Sequence, residues 1–171
     1  NAERAPLGLL LDQLAGETDD AVVATLTWAI AQHRAVAVAP LCARATDPDP
    51  VVRVRMVRVL AKIADPAATS TLVALLSDPD DRVVASAVFG LGALGHPSAV
   101  QPLVDRLGGP DAEDLTDALA RLGTAAVDPL AAALRTGSAS VRRHAAAALG
   151  ALGEASTTPV LAAAVADEDA D

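Results

Sequence analysis

The pentapeptide LGALG occurs twice in the chain, at residues 91–95 and 149–153. With the glycine before it, the first copy reads GLGALG and has the G-x-G-x-x-G form of a dinucleotide-binding loop. Two related segments stand at residues 60–64 (LAKIA) and 119–123 (LARLG). A segment that recurs along a chain indicates a repeated structural unit, so we interpret GLGALG as part of a repeat and not as a nucleotide site.

The turns before these segments recur at a regular spacing. They begin at Asp47, Asp78, Gly109 and Gly137, so successive starts lie 31, 31 and 28 residues apart. A second apolar signature recurs with the same period, as APLCARA from residue 39, STLVALL from 70, QPLVDRL from 101, DPLAAAL from 128 and TPVLAAA from 158. This periodicity, with two signatures in each repeat, predicts stacked pairs of helices.

The first segment of each pair has the apolar spacing of a helix. Apolar residues recur at i, i+4, i+8 and i+11 in two consecutive units: Val52, Met56, Leu60 and Ile63, then Val83, Ala87, Leu91 and Leu94. The residues before GLGALG therefore belong to a helix, whereas a nucleotide-binding loop would follow a strand.

Capping residues mark where these helices begin. Asp49 precedes Pro50, and Asp80 precedes Asp81, which are typical N-terminal signals.

The glycines have structural explanations as well. Gly95 is a natural C-cap for the helix that precedes it. Gly90 and Gly92 lie inside that helix, where we expect them to let neighbouring helices approach closely.

Two stretches carry a family resemblance: DPDPVVRVRMVRVLAKIADPAATSTLVALL from Asp47 and DDRVVASAVFGLGALGHPSAVQPLVDRLG from Asp80. With their Asp-Pro turn, Val-Arg opening, closing Leu-Gly pair and Pro-Leu second helix, they resemble bacterial HEAT-like repeats of the type first described in phycobilin lyases. The resemblance covers about residues 19–166. It implies an all-α, right-handed α-solenoid of about five helix pairs plus one N-terminal unpaired helix, or eleven helices.

The resemblance also implies the domain organisation. We expect one array over residues 1–171, with repeats at approximately 19–46, 47–77, 78–108, 109–136 and 137–166. Asn1 and Ala2 are interpreted as the remnant of a cleaved tag, and residues 167–171 as an acidic tail. The unpaired first helix suits a chain that is a fragment of a longer protein.

Composition narrows the class of partner. A net charge of −9 argues against phosphate backbones and anionic membranes, because binding them requires an excess of Lys and Arg. An aromatic content of 1% further argues against a HEAT-like DNA glycosylase, which would need a basic groove with aromatic side chains. No apolar run is long enough to span a bilayer. The single cysteine, Cys42, excludes an internal disulfide and fits a cytoplasmic location.

Residues of the types that serve in catalytic sites have simpler explanations here. His33, His96 and His144 lack the following Glu that the resemblance to metal-binding HEAT-like hydroxylases would require, so we place them in loops or on a helix surface. Cys42 aligns with apolar residues of the other units, which predicts core packing. Acidic turns such as SDPDD are explained by helix capping. We therefore expect no catalytic residue, no bound metal and no cofactor.

The resemblance places the second helices on an inner, concave ridge, and solenoids use such surfaces for binding. The aligned apolar position should be buried at Leu41, Leu72, Leu103, Leu130 and Val160. The residues two before and two after it form what we term the second-helix rows: Ala39, Ala43, Ser70, Ala74, Gln101, Asp105, Asp128, Ala132, Thr158 and Ala162. We expect a non-enzymatic interaction scaffold that binds a peptide or helix of another protein along these rows.

An alternative surface is the basic stripe on one first helix, on the convex side: Arg53, Arg55, Arg58 and Lys62. It would suit an acidic partner or a second copy of the chain, through weak self-association with acidic residues such as Asp114 and Asp117. An alternative function is that of a regulatory or accessory domain in a larger enzyme system, such as a bilin-lyase-like subunit.

Overall fold

A computed structural model of the chain describes residues 4–153 together with residues 157, 158 and 162. That part of the chain contains α-helices and short 3-10 turns but no β-strand, which confirms the predicted all-α class. The helices described are α1 (Arg4–Gly16), α2 (Asp20–Gln32), α3 (Arg34–Arg44), α4 (Pro50–Ile63), α5 (Thr69–Ala74), α6 (Asp81–Leu94), α7 (Val100–Val104), α8 (Ala112–Arg121), α9 (Val127–Thr136) and α10 (Ala139–Leu152). The 3-10 turns are Pro66–Ala68, Leu75–Ser77, Pro97–Ala99 and Gly123–Ala126.

The helices follow one another in pairs with the period of the sequence. The first helices of the pairs are α2, α4, α6, α8 and α10, and the second helices are α3, α5, α7 and α9. Helix α1 precedes the first pair, as the sequence predicts. The predicted eleventh helix lies mostly outside the described residues, among which Thr158 and Ala162 are helical.

The acidic turns cap the first helices. Asp49 accepts a hydrogen bond from the Val51 amide at 2.8 Å, with Pro50 as the first helical residue. Asp80 accepts one from the Arg82 amide at 2.9 Å. Because each carboxylate satisfies an amide that the helix leaves without a partner, the capping interpretation of these turns is confirmed.

The ends of two first helices show what the glycine in LGALG does. Gly95 follows α6 with φ +66°, in the left-handed region that glycine adopts without steric cost. The corresponding residue after α4 is Ala64, the last residue of LAKIA, and it adopts φ +53°. An alanine in this region costs roughly 1–2 kcal/mol, so the departure from the repeat pattern at this point destabilises α4.

The core consists of Leu, Val and Ala from both helices of each pair. Leu41, Leu72, Leu103 and Leu130 are completely buried, as predicted, and Val160 lies outside the described residues. The two apolar stripes of α4 and α6 are also buried, except that Leu94 is half-exposed at the end of its helix.

Gly90 brings α6 close to its neighbours, as the sequence predicts. A Cβ atom at this position would lie 3.0 Å from Leu72 Cδ1 and 3.6 Å from Ala61 Cβ. These residues belong to α5 and α4, so glycine permits tighter packing of three helices.

The described residues form two compact units that divide between Leu94 and Gly95. Unit 1 contains α1 to α6, and within it α4 packs against both α2 and α6. Unit 2 contains α7 to α10, and within it α10 packs against both α8 and α9. None of the described helices combines the length and the apolar character that crossing a bilayer requires.

Candidate interaction surfaces

The second-helix rows are exposed in both units. All ten of their residues are exposed, while the Leu between them in each described second helix is buried. In unit 2, Gln101 Nε2 donates a hydrogen bond to Asp105 Oδ1 at 2.7 Å, which joins the two rows on α7. The structure therefore makes every residue of the predicted rows accessible; their role in binding stays a prediction.

A cleft of about 690 Å³ opens beside these rows in unit 1. It lies where α3 and α5 end, and Ser70 and Ala74 of the rows line it. Its other lining residues include hydroxyl groups and the two acidic turns, namely Thr46, Asp47, Thr71, Ser77 and Asp78. The sequence predicted the rows but not this recess, because its shape depends on how two successive turns meet.

Arg53 and Asp78 form a buried ion pair in the wall of the cleft. Arg53 Nη2 and Nε donate to the two oxygens of Asp78 at 2.7 and 2.8 Å, and the side chains are only 10% and 5% exposed. Arg53 Nη1 also donates to the carbonyl oxygens of Asp47 and Pro48 at 2.9 and 3.1 Å. The guanidinium thus joins the turn that begins one repeat to the turn that begins the next.

The ion pair controls the ionisation of Asp78. Burial by itself raises the pKa of this carboxyl. The hydrogen bonds from Arg53 and from the Asp80 amide, together with the Arg53 charge, outweigh burial and hold the pKa of Asp78 below its usual value.

Arg55 serves a different structural purpose, at the end of α1. Its Nη1 donates to the carbonyl oxygens of Leu14 and Ala15 at 3.0 and 2.7 Å, and its Nη2 donates to that of Glu17. These are carbonyls at the C-terminal end of a helix, which lack partners within the helix and carry its negative dipole. Arg55 therefore ties α1 to α4.

The basic stripe predicted from the sequence is accordingly smaller than expected. Arg53 and Arg55 are engaged inside unit 1, because their side chains are long enough to reach polar groups of neighbouring turns. Only Arg58 and Lys62 of the stripe are exposed. Arg53 and Arg55 therefore hold neighbouring turns together and do not continue the exposed stripe.

Replacing Arg55 with Ala is expected to lower the free energy of unfolding by about 1–2 kcal/mol, because three carbonyl oxygens lose a charged donor. Arg58→Ala, on the same helix but exposed, is the matched control and should change stability by less than about 0.5 kcal/mol. The free energies of unfolding of the two variants are compared by urea unfolding monitored by circular dichroism. Equal stability of the two variants would remove the role assigned to Arg55.

The remaining candidate side chains lie close to where the sequence places them. His33 is the residue between α2 and α3, and His96 caps the 3-10 turn before α7. His144 lies on α10, with Nδ1 2.8 Å from the Ser140 carbonyl oxygen. Cys42 is half-buried and lines the cleft, so it is only partly a core residue. In the described residues, no three His, Cys, Asp or Glu side chains are arranged to hold a metal ion.

A smaller recess of about 340 Å³ lies in unit 2, where residues 109–114 meet α10. It is lined on the α10 side by Ser140, Arg143 and His144. Arg143 and the acidic residues Asp111, Glu113 and Asp114 give it mixed charge. The sequence offered no signal for this recess.

Comparison with known proteins relates this geometry to a family. A family model for HEAT repeats matches residues 38–122 and 114–171. Among solved structures, a chain in the complex of CpcE and CpcF of phycocyanin lyase from Nostoc sp. PCC7120 is similar, with a TM-score of 0.60 and 23% identity over 88% of this chain and 66% of that one. This chain thus spans less than two thirds of its length.

Two designed proteins are similar in fold as well. An engineered protein aligns with a TM-score of 0.58 and 22% identity over 95% of this chain and 86% of that chain. A designed armadillo repeat protein, solved in complex with the peptide (KR)4, aligns with a TM-score of 0.51 and 23% identity over 88% of this chain and 83% of that chain. No curated protein sequence matches. At these identities, the likenesses concern the fold.

Proposed function

We propose a scaffold function for this chain, which belongs to the HEAT-repeat family. In this proposal the chain is not an enzyme and binds a peptide or helix of another protein along its second-helix rows. The observation that carries this proposal is the exposure of small, mostly uncharged side chains above a buried leucine in each described second helix. In each unit, these rows form a surface to which a partner has access.

The chemistry of the rows supports a protein partner. Helix surfaces that face only water usually carry more charge, whereas of these ten residues only Asp105 and Asp128 are charged. Small side chains allow another backbone to approach closely. A partner with a modestly apolar face, and with Lys or Arg opposite the two aspartates, would fit.

The cleft in unit 1 supports the same proposal. It borders Ala74 of the rows and offers the hydroxyl groups of Ser70, Thr71 and Ser77, which can bond to a peptide backbone. Cys42 is the thiol in its lining, and a thiol or hydroxyl nucleophile is usually activated by a neighbouring base such as histidine. The described residues of the lining include no histidine. Binding is therefore the better-supported role of the cleft.

The alternative function is that of an accessory subunit in a larger enzyme. The likeness of fold to a chain in the CpcE–CpcF complex of phycocyanin lyase favours it. It differs from the main proposal in predicting that the captured partner is itself an enzyme subunit or carries a bilin. Absorption spectroscopy of the captured complex detects the bilin.

Substituting Glu for both Ala74 and Ala132 is expected to abolish capture of the partner from a native lysate while leaving folding nearly unchanged. Both residues are exposed in the rows, one in each unit, and exposed substitutions rarely destabilise a helix by more than about 0.5 kcal/mol. The matched control is Glu at Ala85 and Ala147, which are exposed on first helices. Pull-down with quantitative mass spectrometry compares the three proteins.

The control pair also gives the outcome against the proposal. If the Ala74 and Ala132 variant retains the partner and the Ala85 and Ala147 variant loses it, the binding surface lies on the first helices. Circular dichroism of each variant separates lost binding from lost structure.

A further inference from the structure

The two aromatic residues of the chain both lie on its surface. The sequence contains one Trp, one Phe and no Tyr, and Trp28 and Phe89 are 57% and 56% exposed. Aromatic side chains ordinarily contribute the largest apolar area to a core. This core is instead made of smaller side chains, so the placement of both aromatic residues outside it calls for another explanation.

The structure places these two residues on either side of an arginine. Trp28, Arg58 and Phe89 are each the ninth residue of their helices α2, α4 and α6. Helix α4 packs against both α2 and α6, and all three side chains are exposed. They therefore form a row across the outward face of three first helices, which we term the aromatic–arginine row.

The exposed stripe follows the same register in each helix. In α4 the second, ninth and thirteenth residues are exposed, and they are Val51, Arg58 and Lys62. In α6 the exposed second and ninth residues are Arg82 and Phe89. Arg53 near the start of α4 bonds to Asp78 just before α6, and Ala61 near the end of α4 lies against Gly90 of α6, so these two helices run in the same direction. Arg55 in the first half of α4 bonds to Glu17 just before α2, which places the start of α2 beside that half. Equal positions along these helices therefore lie near one another within unit 1.

The row is positively charged in an acidic protein. Helix α2 carries charge only at Asp20, and α6 only at Asp81 and Arg82, all within the first turn. Arg82 pairs with Asp80 at 2.7 Å, so its charge is balanced. Beyond the first turn of these three helices, the exposed charged residues are Arg58 and Lys62, in a chain whose net charge is −9.

We propose that the aromatic–arginine row is a docking site for an extended segment of a partner protein that carries a carboxylate between two apolar side chains. Arg58 would bind the carboxylate, and Trp28 and Phe89 would each contact an apolar side chain. Trp and Arg are the residues most enriched among those that dominate binding energy, and Arg is suited to bidentate contact with a carboxylate. The site lies on the first helices and is separate from the second-helix rows.

The spacing of the row sets the spacing of the partner's side chains. Packed helices lie about 8–10 Å apart, so the row offers three contacts at that interval. A segment in the polyproline II conformation has three residues per turn and rises about 3.1 Å per residue. Its residues i, i+3 and i+6 therefore share one side at intervals of about 9 Å, which predicts the pattern apolar-x-x-acidic-x-x-apolar.

Selection of a displayed library of random 12-residue peptides on the purified 171-residue chain tests this proposal. We expect enrichment of Asp or Glu with apolar residues three positions before and after it. Binding of an enriched synthetic peptide should weaken at least tenfold in Trp28→Ala, Phe89→Ala and Arg58→Ala. Repeating the selection on Arg58→Glu should replace the central acid with Lys or Arg.

Two variants show which surface a selected peptide uses. Ala74→Glu, in the second-helix rows, should leave the affinity unchanged. Peptides that lose binding in Ala74→Glu but not in Arg58→Glu would overturn the docking site while supporting the second-helix rows. Peptides without a central acid, or no enrichment at all, would also overturn it. Circular dichroism checks that the exposed substitutions leave the fold intact.

Discussion

Replacing Arg53 with Met is expected to lower the melting temperature by about 10 °C. Met preserves the apolar length of the side chain but leaves the Asp78 carboxylate buried without its cation. It also removes the donor to the Asp47 and Pro48 carbonyl oxygens. A buried charge that loses its partner is far more costly than a lost surface ion pair. Differential scanning calorimetry at pH 7 measures the change.

Arg82→Met is the matched control for this substitution. Arg82 also pairs with an aspartate at 2.7 Å, but its side chain is 65% exposed. Exposed pairs contribute little because water screens them, so the control should melt within about 2 °C of the parent protein. Adding Asp78→Asn to Arg53→Met removes the unpaired charge and should recover part of the loss. A melting temperature equal in the two single variants would refute the importance of burial.

The same pair predicts how stability depends on pH. Because the folded-state pKa of Asp78 is lowered, its contribution is present above the unfolded value of about 3.9 and is lost as pH falls through the folded value. Asp80 acts in the same direction, since hydrogen bonds from Arg82 lower its pKa to about 2. In Arg53→Met, burial still raises the pKa of Asp78, but the hydrogen bonds and the charge of Arg53 no longer lower it. The stability difference between variant and parent should therefore begin to shrink as pH falls through the higher pKa that Asp78 has in the folded variant, and should be smallest below the lower pKa of the folded parent.

The features that the sequence predicted are those set by local chemistry. The apolar stripe from Val52 to Ile63 and the caps at Asp49 and Asp80 depend on neighbours within about two turns, and the structure has them as expected. Burial of Leu72 and exposure of Ala74 follow from the same helical period. Local periodicity thus accounted for most of the fold and for the exposure of the second-helix rows.

The features that the sequence missed depend on contacts between distant residues. Arg53 bonds to a residue 25 positions away and Arg55 to one 41 positions away, so spacing along one helix could not separate them from Arg58. The cleft in unit 1 depends in the same way on the meeting of two turns. The aromatic–arginine row, in contrast, could have been recognised from the sequence. Aligning the repeats on the capping aspartates Asp19, Asp49 and Asp80 places its three members at one position.

Gly137→Ala is expected to lower the free energy of unfolding by about 2–3 kcal/mol, although the backbone there suits any residue. Gly137 ends α9 with φ −77° and ψ 167°, which is an ordinary extended conformation. The obstacle is space, because a Cβ atom would lie 2.6 Å from the Ala133 carbonyl oxygen and 2.6 Å from Val141 Cγ1. Ala133 and Val141 lie four residues before and after Gly137, so relief requires the turn between α9 and α10 to change shape. Urea unfolding measures the loss.

Gly150→Ala is the matched control, and its effect should have the opposite sign. Gly150 lies inside α10, is exposed, and has no atom within 4 Å of a Cβ placed there. Alanine there removes the entropic cost of a helical glycine and should raise the free energy of unfolding by about 0.5–1 kcal/mol. The two substitutions add the same methyl group at positions only 13 residues apart in sequence. If both variants were stabilised, the close approach of α9 and α10 at Gly137 would not exist in solution.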